Sequence, residues 1–557
     1  MPIARSQLRR LLAAATTGIA TFALVAAPGA SAAPEGKPKP SSPPLVWTTG
    51  EDGLQYAEAT VPLSYANPRL GTTKVPLVKA PATGDPAQRI GSLFTNPGGP
   101  GGSGVDFVAA TADSLYASIR QRYDVIGFDP RGTGTSPNAL DCKVNQETEG
   151  LYRVPFVRPT SNFTAEAKKD FAYVSRCERL NRTALPYVTT GNVARDLDVI
   201  RGLVGDQKFN YLGYSYGTFL GATYAALFPN KLGRVVLDGP LDASGYINQP
   251  MANLRDQSTG FEDALDRFLA ACKADQAACA GFGGSDPSAA YDALLAKADK
   301  TPIPADSYTD DPRPVDGDTI RWAVTGMLYA KFLWPYLAQE LAAAEQGDGG
   351  PLRAEADGSW GNNLDGTFDP GNDRYFLIGA ADQSPAYPRN PFTYYKAGVQ
   401  SFREHPTAFY NNGFVEFNYA LYGARSDGRY AGPFKVPGKA ATPLIVATTH
   451  DPATPYDGAQ RLVRQLGNAR LLTMEGDNHT AYGGESACID AAVDAYLFGG
   501  TLPSTGTVCQ QETGFAQPEA LTAAAAGSGT ARAAAIGRFA AKVQPAGPAT
   551  KPVDPAE

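Results

Sequence analysis

Phe209-Asn210-Tyr211-Leu212-Gly213-Tyr214-Ser215-Tyr216-Gly217 reads as a short buried strand running into a Gly-x-Ser-x-Gly turn. Residues 218–228 follow as a helix of small residues that can pack closely. Two glycines let strand and helix meet in a strained turn, and that turn pushes the serine hydroxyl out at the strand end. The pattern occurs once in the 557 residues. A plain turn is the competing reading; the flanking strand and helix favour Ser215 as an exposed nucleophile.

Other short apolar runs share this design. Residues 90–95 lead into Asn96-Pro97-Gly98-Gly99-Pro100-Gly101, and residues 123–128 into Asp129-Pro130-Arg131-Gly132. Residues 234–237, 443–448 and 469–474 are further strands, and 56–61 and 74–78 flank a turn at Ala66-Asn67-Pro68. Helical spacing appears at 193–204, with Asn192 as N-cap, and at 489–498. Short buried strands alternating with helices predict a mostly parallel sheet covered on both faces. Residues 241–435 break the rhythm. They hold helical patches (261–272, 289–298, 319–345) between Gly/Pro/Asp loops and three of the four Trp, so they read as an inserted, mainly helical cap. The expected division is 1–32 signal peptide, 33–44 linker or pro-segment, 45–240 and 436–512 core, 241–435 cap, and 513–557 Ala/Pro-rich tail.

A serine needs a base, and the chain has three histidines, His405, His450 and His479. His479 follows a late strand in a loop. His450 directly precedes the preferred acid, and His405 lies in the cap; both are read as structural. Asp451 follows the strand at 443–448 in Asp451-Pro452-Ala453-Thr454-Pro455, where the prolines stiffen the loop, and Asp457 is the alternative. The acid would fix the base's tautomer and stabilise its cation. The chain order Ser215, Asp451, His479 is that of the α/β-hydrolases. The 236 residues between Ser215 and Asp451 leave room for the cap. Oxyanion donors are expected from the Tyr216 N–H and from Gly99, because Pro97 and Pro100 carry no N–H.

Five motifs carry a family resemblance: Asn96 to Gly104, Gly127 to Gly134, Gly213 to Gly217, Asp451 to Tyr456 and Asn478 to Tyr482. Over roughly residues 45–512 the chain resembles the secreted bacterial tripeptidyl aminopeptidases, α/β-hydrolase serine exopeptidases related to the proline iminopeptidases. The resemblance implies release of short N-terminal peptides, with Ser215, Asp451 and His479 as triad and Gly99 and Tyr216 as oxyanion donors. Proline iminopeptidases carry His-Gly-Gly-Pro-Gly; Pro97 stands in the His place here, which favours the tripeptidyl branch. Alternatives are single-residue prolyl release and a small-molecule esterase or amidase. An exopeptidase must also hold the substrate's ammonium, most simply with carboxylates. Asp256, Glu262, Asp263 and Asp266 on the first cap helix are candidates, Glu262 and Asp263 foremost.

Composition narrows the class. Forty-nine basic and 56 acidic residues give a net charge of −7, which disfavours nucleic acid as a partner. Arg5, Arg9 and Arg10, an apolar stretch at 11–27 and Ala30-Ser31-Ala32 form a secretory signal pattern. Its removal leaves 46 basic against 56 acidic residues, or −10. No later stretch is apolar enough to span a membrane, so a secreted, extracellular monomer without stable membrane association is expected. Six cysteines in an exported chain suggest disulfides. Fifteen connectivities are open, and neighbouring pairs are expected: Cys142–Cys177, Cys272–Cys279 and Cys488–Cys509. The cysteine and histidine spacing fits no zinc site, and the Gly98-Gly99 loop lacks the phosphate-binding patterns. No cofactor and no metal are expected; peptide or protein N-termini are the expected substrates.

Overall fold

A computed structural model describes residues 42–406 and 411–516. The expected signal segment, nearly all of the linker and all but the first residues of the tail lie outside the described residues.

The apolar runs assemble into a ten-stranded sheet of order β1-β2-β3-β5-β4-β6-β7-β8-β9-β10. The strands are β1 (Thr48–Thr49), β2 (Gln55–Pro62), β3 (Thr72–Ala80), β4 (Gly91–Asn96), β5 (Tyr123–Phe128), β6 (Phe209–Tyr214), β7 (Leu232–Asp238), β8 (Leu444–Thr448), β9 (Arg470–Glu475) and β10 (Val508–Gln510). β1, β2, β3 and β5 pair antiparallel, and β5 through β10 pair parallel. This is the α/β-hydrolase fold.

The first helices are α1 (Gly104–Thr111), α2 (Phe163–Asn181), α3 (Thr190–Leu203) and α4 (Tyr216–Leu227). Between β7 and β8 come α5 (Ala243–Asn248), α6 (Pro250–Ala274), α7 (Pro287–Ala298), α8 (Gly317–Met327), α9 (Trp334–Glu345), α10 (Gly350–Trp360), α11 (Gly371–Gln383), α12 (Pro391–Glu404) and α13 (Asn412–Leu421). α14 (Tyr456–Leu466) and α15 (Ala487–Gly499) follow β8 and β9.

Side chains alternate across the sheet, as the two-residue period of a strand requires. Leu93, Val125, Leu212, Val236 and Val446 pack with Phe107 of α1 and Val493 of α15. Their neighbours Phe94, Ile126, Tyr211, Val235 and Ile445 pack on the other face with Ile200 of α3, Phe219 of α4 and Leu462 of α14. Burial on both faces explains why these strands read as continuous apolar runs.

The helices between β7 and β8 divide in two. α6 to α10 bury their own apolar cluster, including Phe268, Leu294, Val324, Trp334, Leu341 and Trp360. Phe376 and Leu377 of α11, Tyr394 of α12 and Phe417 of α13 instead join the cluster on the α3/α4 face of the sheet. α2, in the long β5–β6 connection, packs on α13.

Two local expectations change. The single helical stretch at 319–345 is broken between α8 and α9, because Ala330 leaves the helix to bridge with Asn478. α3 starts at Thr190 with Thr189 at the cap position. Asn192 lies inside that helix, and its amide donates to the carbonyls of Tyr187 and Asp427. The cysteines pair as Cys142–Cys177, Cys272–Cys279 and Cys488–Cys509.

Candidate active site

Ser215 sits between β6 and α4 with φ 53° and ψ −125°. A non-glycine residue at positive φ is strained and persists only where its surroundings fix it. Here the Ser215 N–H donates to the Asp238 carbonyl at 2.9 Å. The flanking glycines are sterically required. A Cβ at Gly213 would come within 2.6 Å of the Gly217 carbonyl oxygen, and one at Gly217 within 2.7 Å of the Asn96 carbonyl oxygen.

Asp451 and His479 follow the ends of β8 and β9 and are almost fully buried. His479 Nδ1 lies 2.9 Å from each carboxylate oxygen of Asp451. A carboxylate only accepts, so Nδ1 carries the proton and the Nε2 lone pair is the basic site. Nε2 is buried and has no hydrogen-bond partner among the described residues. Asp451 is itself held by N–H groups of Ala453 (2.9 Å) and Thr454 (2.8 Å) and by the Thr454 hydroxyl (2.9 Å). The imidazole lies beside Gly239. A Cβ at Gly239 would meet its Cε1 at 3.2 Å, and the Tyr214–Asp238 register places Gly239 beside Ser215. The structure thus gathers all three residues at the carboxyl ends of β6, β8 and β9. Asp457 is exposed on the first turn of α14.

Two supporting residues escaped the sequence reading. Thr454 is one; a hydroxyl three residues after an Asp in a Pro-bounded loop is the signal that pointed to it. The other is Asp238, fully buried at the end of β7. It accepts from the N–H groups of Ala481 (3.0 Å) and Tyr482 (2.9 Å) and so anchors the chain just past His479. A lone Asp ending an apolar strand gave no such hint.

The glycine loop after β4 touches the elbow. A Cβ at Gly98 would stand 2.9 Å from Ser215 Cβ and 3.1 Å from the Tyr216 nitrogen. The Gly98 N–H is spent on Asn96 Oδ1 at 3.1 Å. Gly99, at φ 104°, keeps an N–H without an internal partner among the described residues. The Tyr216 N–H opens α4, where the first N–H groups have no acceptor in the helix.

The helices between β7 and β8 grip the acid and base loops. Gln257 of α6 donates to the Ala453 carbonyl at 2.9 Å, and the His479 N–H donates to the Tyr329 carbonyl at 2.7 Å. Lys331 pairs with Asp477 at 3.0 Å, and Arg267 pairs with the same carboxylate. On α6, Asp263 pairs with His450 (2.9 Å) and Asp256 with Arg461 (2.6 Å). Asp266 is exposed, and Glu262 lies within electrostatic range of Tyr291 in α7. His405 contacts the Thr259 hydroxyl.

A different carboxyl stands out. Glu416 of α13 is 2 % exposed, and its Oε1 finds no hydrogen-bond partner among the described residues. Burial pushes its pKa up to about 8, against the pull of Arg255. Glu416 lies within electrostatic range of Tyr419 and Tyr387, and Tyr375 lies within range of both and of Tyr329. The Tyr329 ring stands edge-on to His479 with centroids 5.5 Å apart. Among the described residues one cluster has metal-binding dimensions, Cys142, Cys177 and Asp373. Its two sulfurs form a disulfide, which leaves no thiolate to bind a metal.

A family model described as TAP-like protein matches residues 427–509, and one described as alpha/beta hydrolase fold matches residues 92–309. Serine protease Hip1 of Mycobacterium tuberculosis is 33% identical over 484 residues, which cover 85% of this chain and 90% of that protein. The chain belongs to the TAP-like family of α/β-hydrolases. It is similar also to tripeptidyl aminopeptidase of Streptomyces lividans, 32% identical over 82% of this chain and 83% of that one. Carboxylesterase B of Mycobacterium tuberculosis is 32% identical over 81% and 86%. Within the TAP-like family the chain is a serine hydrolase.

Proposed function

We propose that the protein is a secreted serine exopeptidase that releases short peptides, tripeptides foremost, from free N-termini. The observation carrying the hydrolytic part is the Asp451–His479 pair, whose imidazole lies beside Gly239 and whose buried Nε2 has no partner among the described residues. In this reading Nε2 takes the Ser215 proton as Oγ attacks the substrate carbonyl carbon. The oxyanion is met by the N–H groups of Gly99 and Tyr216, and His479 then protonates the leaving amine. Water, activated by the same histidine, attacks the acyl-enzyme and frees the peptide.

Glu416 supports the exopeptidase part. A buried carboxyl with no partner among the described residues is costly, and a substrate ammonium would supply the missing charge and donors. The amine-binding role expected of Glu262 and Asp263 passes in this reading to Glu416. The helices of residues 241–435 act in this reading as a cap over the core (45–240 and 436–512). Three disulfides support export to an oxidising compartment. Among the described residues no helix is long and apolar enough to cross a membrane.

A peptidyl anilide series of one, two and three residues, with free and acetylated N-termini, tests the reading. Selective turnover of free-amine tripeptides supports it; equal turnover of acetylated forms contradicts it. The carboxylesterase relative motivates a second reading, an esterase on the same site, and a simple ester turned over while every anilide stays intact would favour that.

A further inference from the structure

Tyr216 has a second connection besides its backbone. Its phenol hydrogen-bonds the Thr190 hydroxyl, which also donates to the carboxylate of Asp382. Asp382 is 0% exposed and accepts the Thr190 N–H with both oxygens at 3.2 Å. An ionised carboxylate only accepts, so Thr190 must give its proton to Asp382 and receive one from Tyr216. The relay has one polarity, from Tyr216 to Thr190 to Asp382.

A helix N-terminus is ordinarily capped by the residue that precedes it. Thr189, in that position, instead donates its hydroxyl to the Asp427 carbonyl at 2.7 Å. The capping carboxylate comes from 192 residues away, on α11, at a site where burying an acid is expensive. A local cap would have satisfied α3 alone; the distant one also reaches Tyr216. The other end of α11 touches the glycine loop. A Cβ at Gly101 would meet Arg374 Cβ at 2.6 Å and the Tyr375 nitrogen at 3.3 Å.

We propose that α11 is a strut that sets both oxyanion donors, with Asp382, acting through Thr190 and the Tyr216 ring, as its positioning residue. The inference rests on the reading of Ser215 as nucleophile and of Gly99 and Tyr216 as donors. Losing the relay frees the Tyr216 ring and lets its N–H drift from the oxyanion. Loss of a whole donor costs on the order of 100-fold or more in kcat, so a misaimed one costs about tenfold.

Thr190→Val keeps the shape and removes the hydroxyl; Thr190→Ser restores it. Each is assayed on a free-amine tripeptidyl anilide and titrated with a tripeptide aldehyde. The aldehyde carbon adds to Ser215 Oγ as a tetrahedral hemiacetal, with the serine proton passing to His479. Thr190→Val should lower kcat about tenfold at unchanged KM, weaken the aldehyde by the same factor, and leave affinity for the product tripeptide intact. Thr190→Ser should recover all three values. Tyr216→Phe breaks the same relay and should match Thr190→Val if that variant folds poorly. Unchanged kcat, a rise in KM alone, or Thr190→Ser as defective as Thr190→Val would overturn the inference. Ser215→Ala separates the two levels: full activity there defeats the functional reading, whereas a dead Ser215→Ala beside a normal Thr190→Val defeats only the strut.

Discussion

Glu416→Gln separates charge from shape at the proposed amine site. Glutamine keeps the volume and one carbonyl oxygen but cannot ionise. Burial raises the Glu416 pKa from 4.5 to about 8, so between those values the folded protein holds a proton that the unfolded chain has released. Stability from this group is therefore full below about pH 4.5 and falls as pH rises toward 8. The slope is roughly 1.4 kcal/mol per pH unit, so the loss is on the order of 3 kcal/mol by pH 7. Glu416→Gln removes this group's share of the slope. Urea denaturation midpoints should coincide for the two proteins near the low end of that window and favour the variant by about 3 kcal/mol at pH 7. Activity should move the other way. A charge-assisted hydrogen bond to an ammonium contributes about 1.5–3 kcal/mol, less about 1.4 kcal/mol to ionise a group of pKa about 8 at pH 7, so kcat/KM on free-amine substrates should drop by up to roughly 15-fold. Acetylated substrates should be unaffected. A variant that keeps the wild-type pH slope would rule out the raised pKa of Glu416, and one that keeps the preference for free amines would rule out its contact with the substrate ammonium.

Other perturbations test the supporting contacts. Thr454→Val removes the hydroxyl that holds Asp451 and should lower kcat about tenfold at constant KM, as one lost hydrogen bond of about 1–1.5 kcal/mol implies; steady-state kinetics checks this. Asp238→Asn weakens the bonds to the Ala481 and Tyr482 N–H groups and should cost about 2 kcal/mol in chemical denaturation, with a matching loss of activity as His479 loosens. Gly98→Ala places a methyl 2.7 Å from the Tyr214 carbonyl at a φ of 103°; it should reduce kcat at least tenfold and lower the melting temperature by several degrees.

Periodicity was the clearest signal in the chain. Residues 123–128 form β5 as expected, and the runs around Phe209, Val235 and Ile445 became central strands because both sheet faces are buried. The elbow was legible because its chemistry demands two glycines at fixed spacing, and His479 because only three histidines competed. What the sequence concealed depends on contacts between distant segments. α10 and α11 lack a clean apolar stripe, and Tyr394 of α12 and Phe417 of α13 bury in the sheet-face cluster. Asp238, Asp382 and Glu416 look like any acid on an apolar segment until the fold encloses them. The neighbours of Asn192 suit a cap, whereas the first N–H of α3 is taken by Asp382 from another part of the chain.

During turnover Ser215 should carry a peptidyl group cut from a free N-terminus. Quenching the enzyme in acid during turnover of a free-amine tripeptidyl ester, followed by intact-mass and peptide-map spectrometry, tests this directly. The predicted result is a single adduct with the mass of the tripeptidyl acyl group, on the peptide containing Ser215 and absent from Ser215→Ala. Turnover with an adduct on another residue, or undiminished turnover by Ser215→Ala, would contradict it.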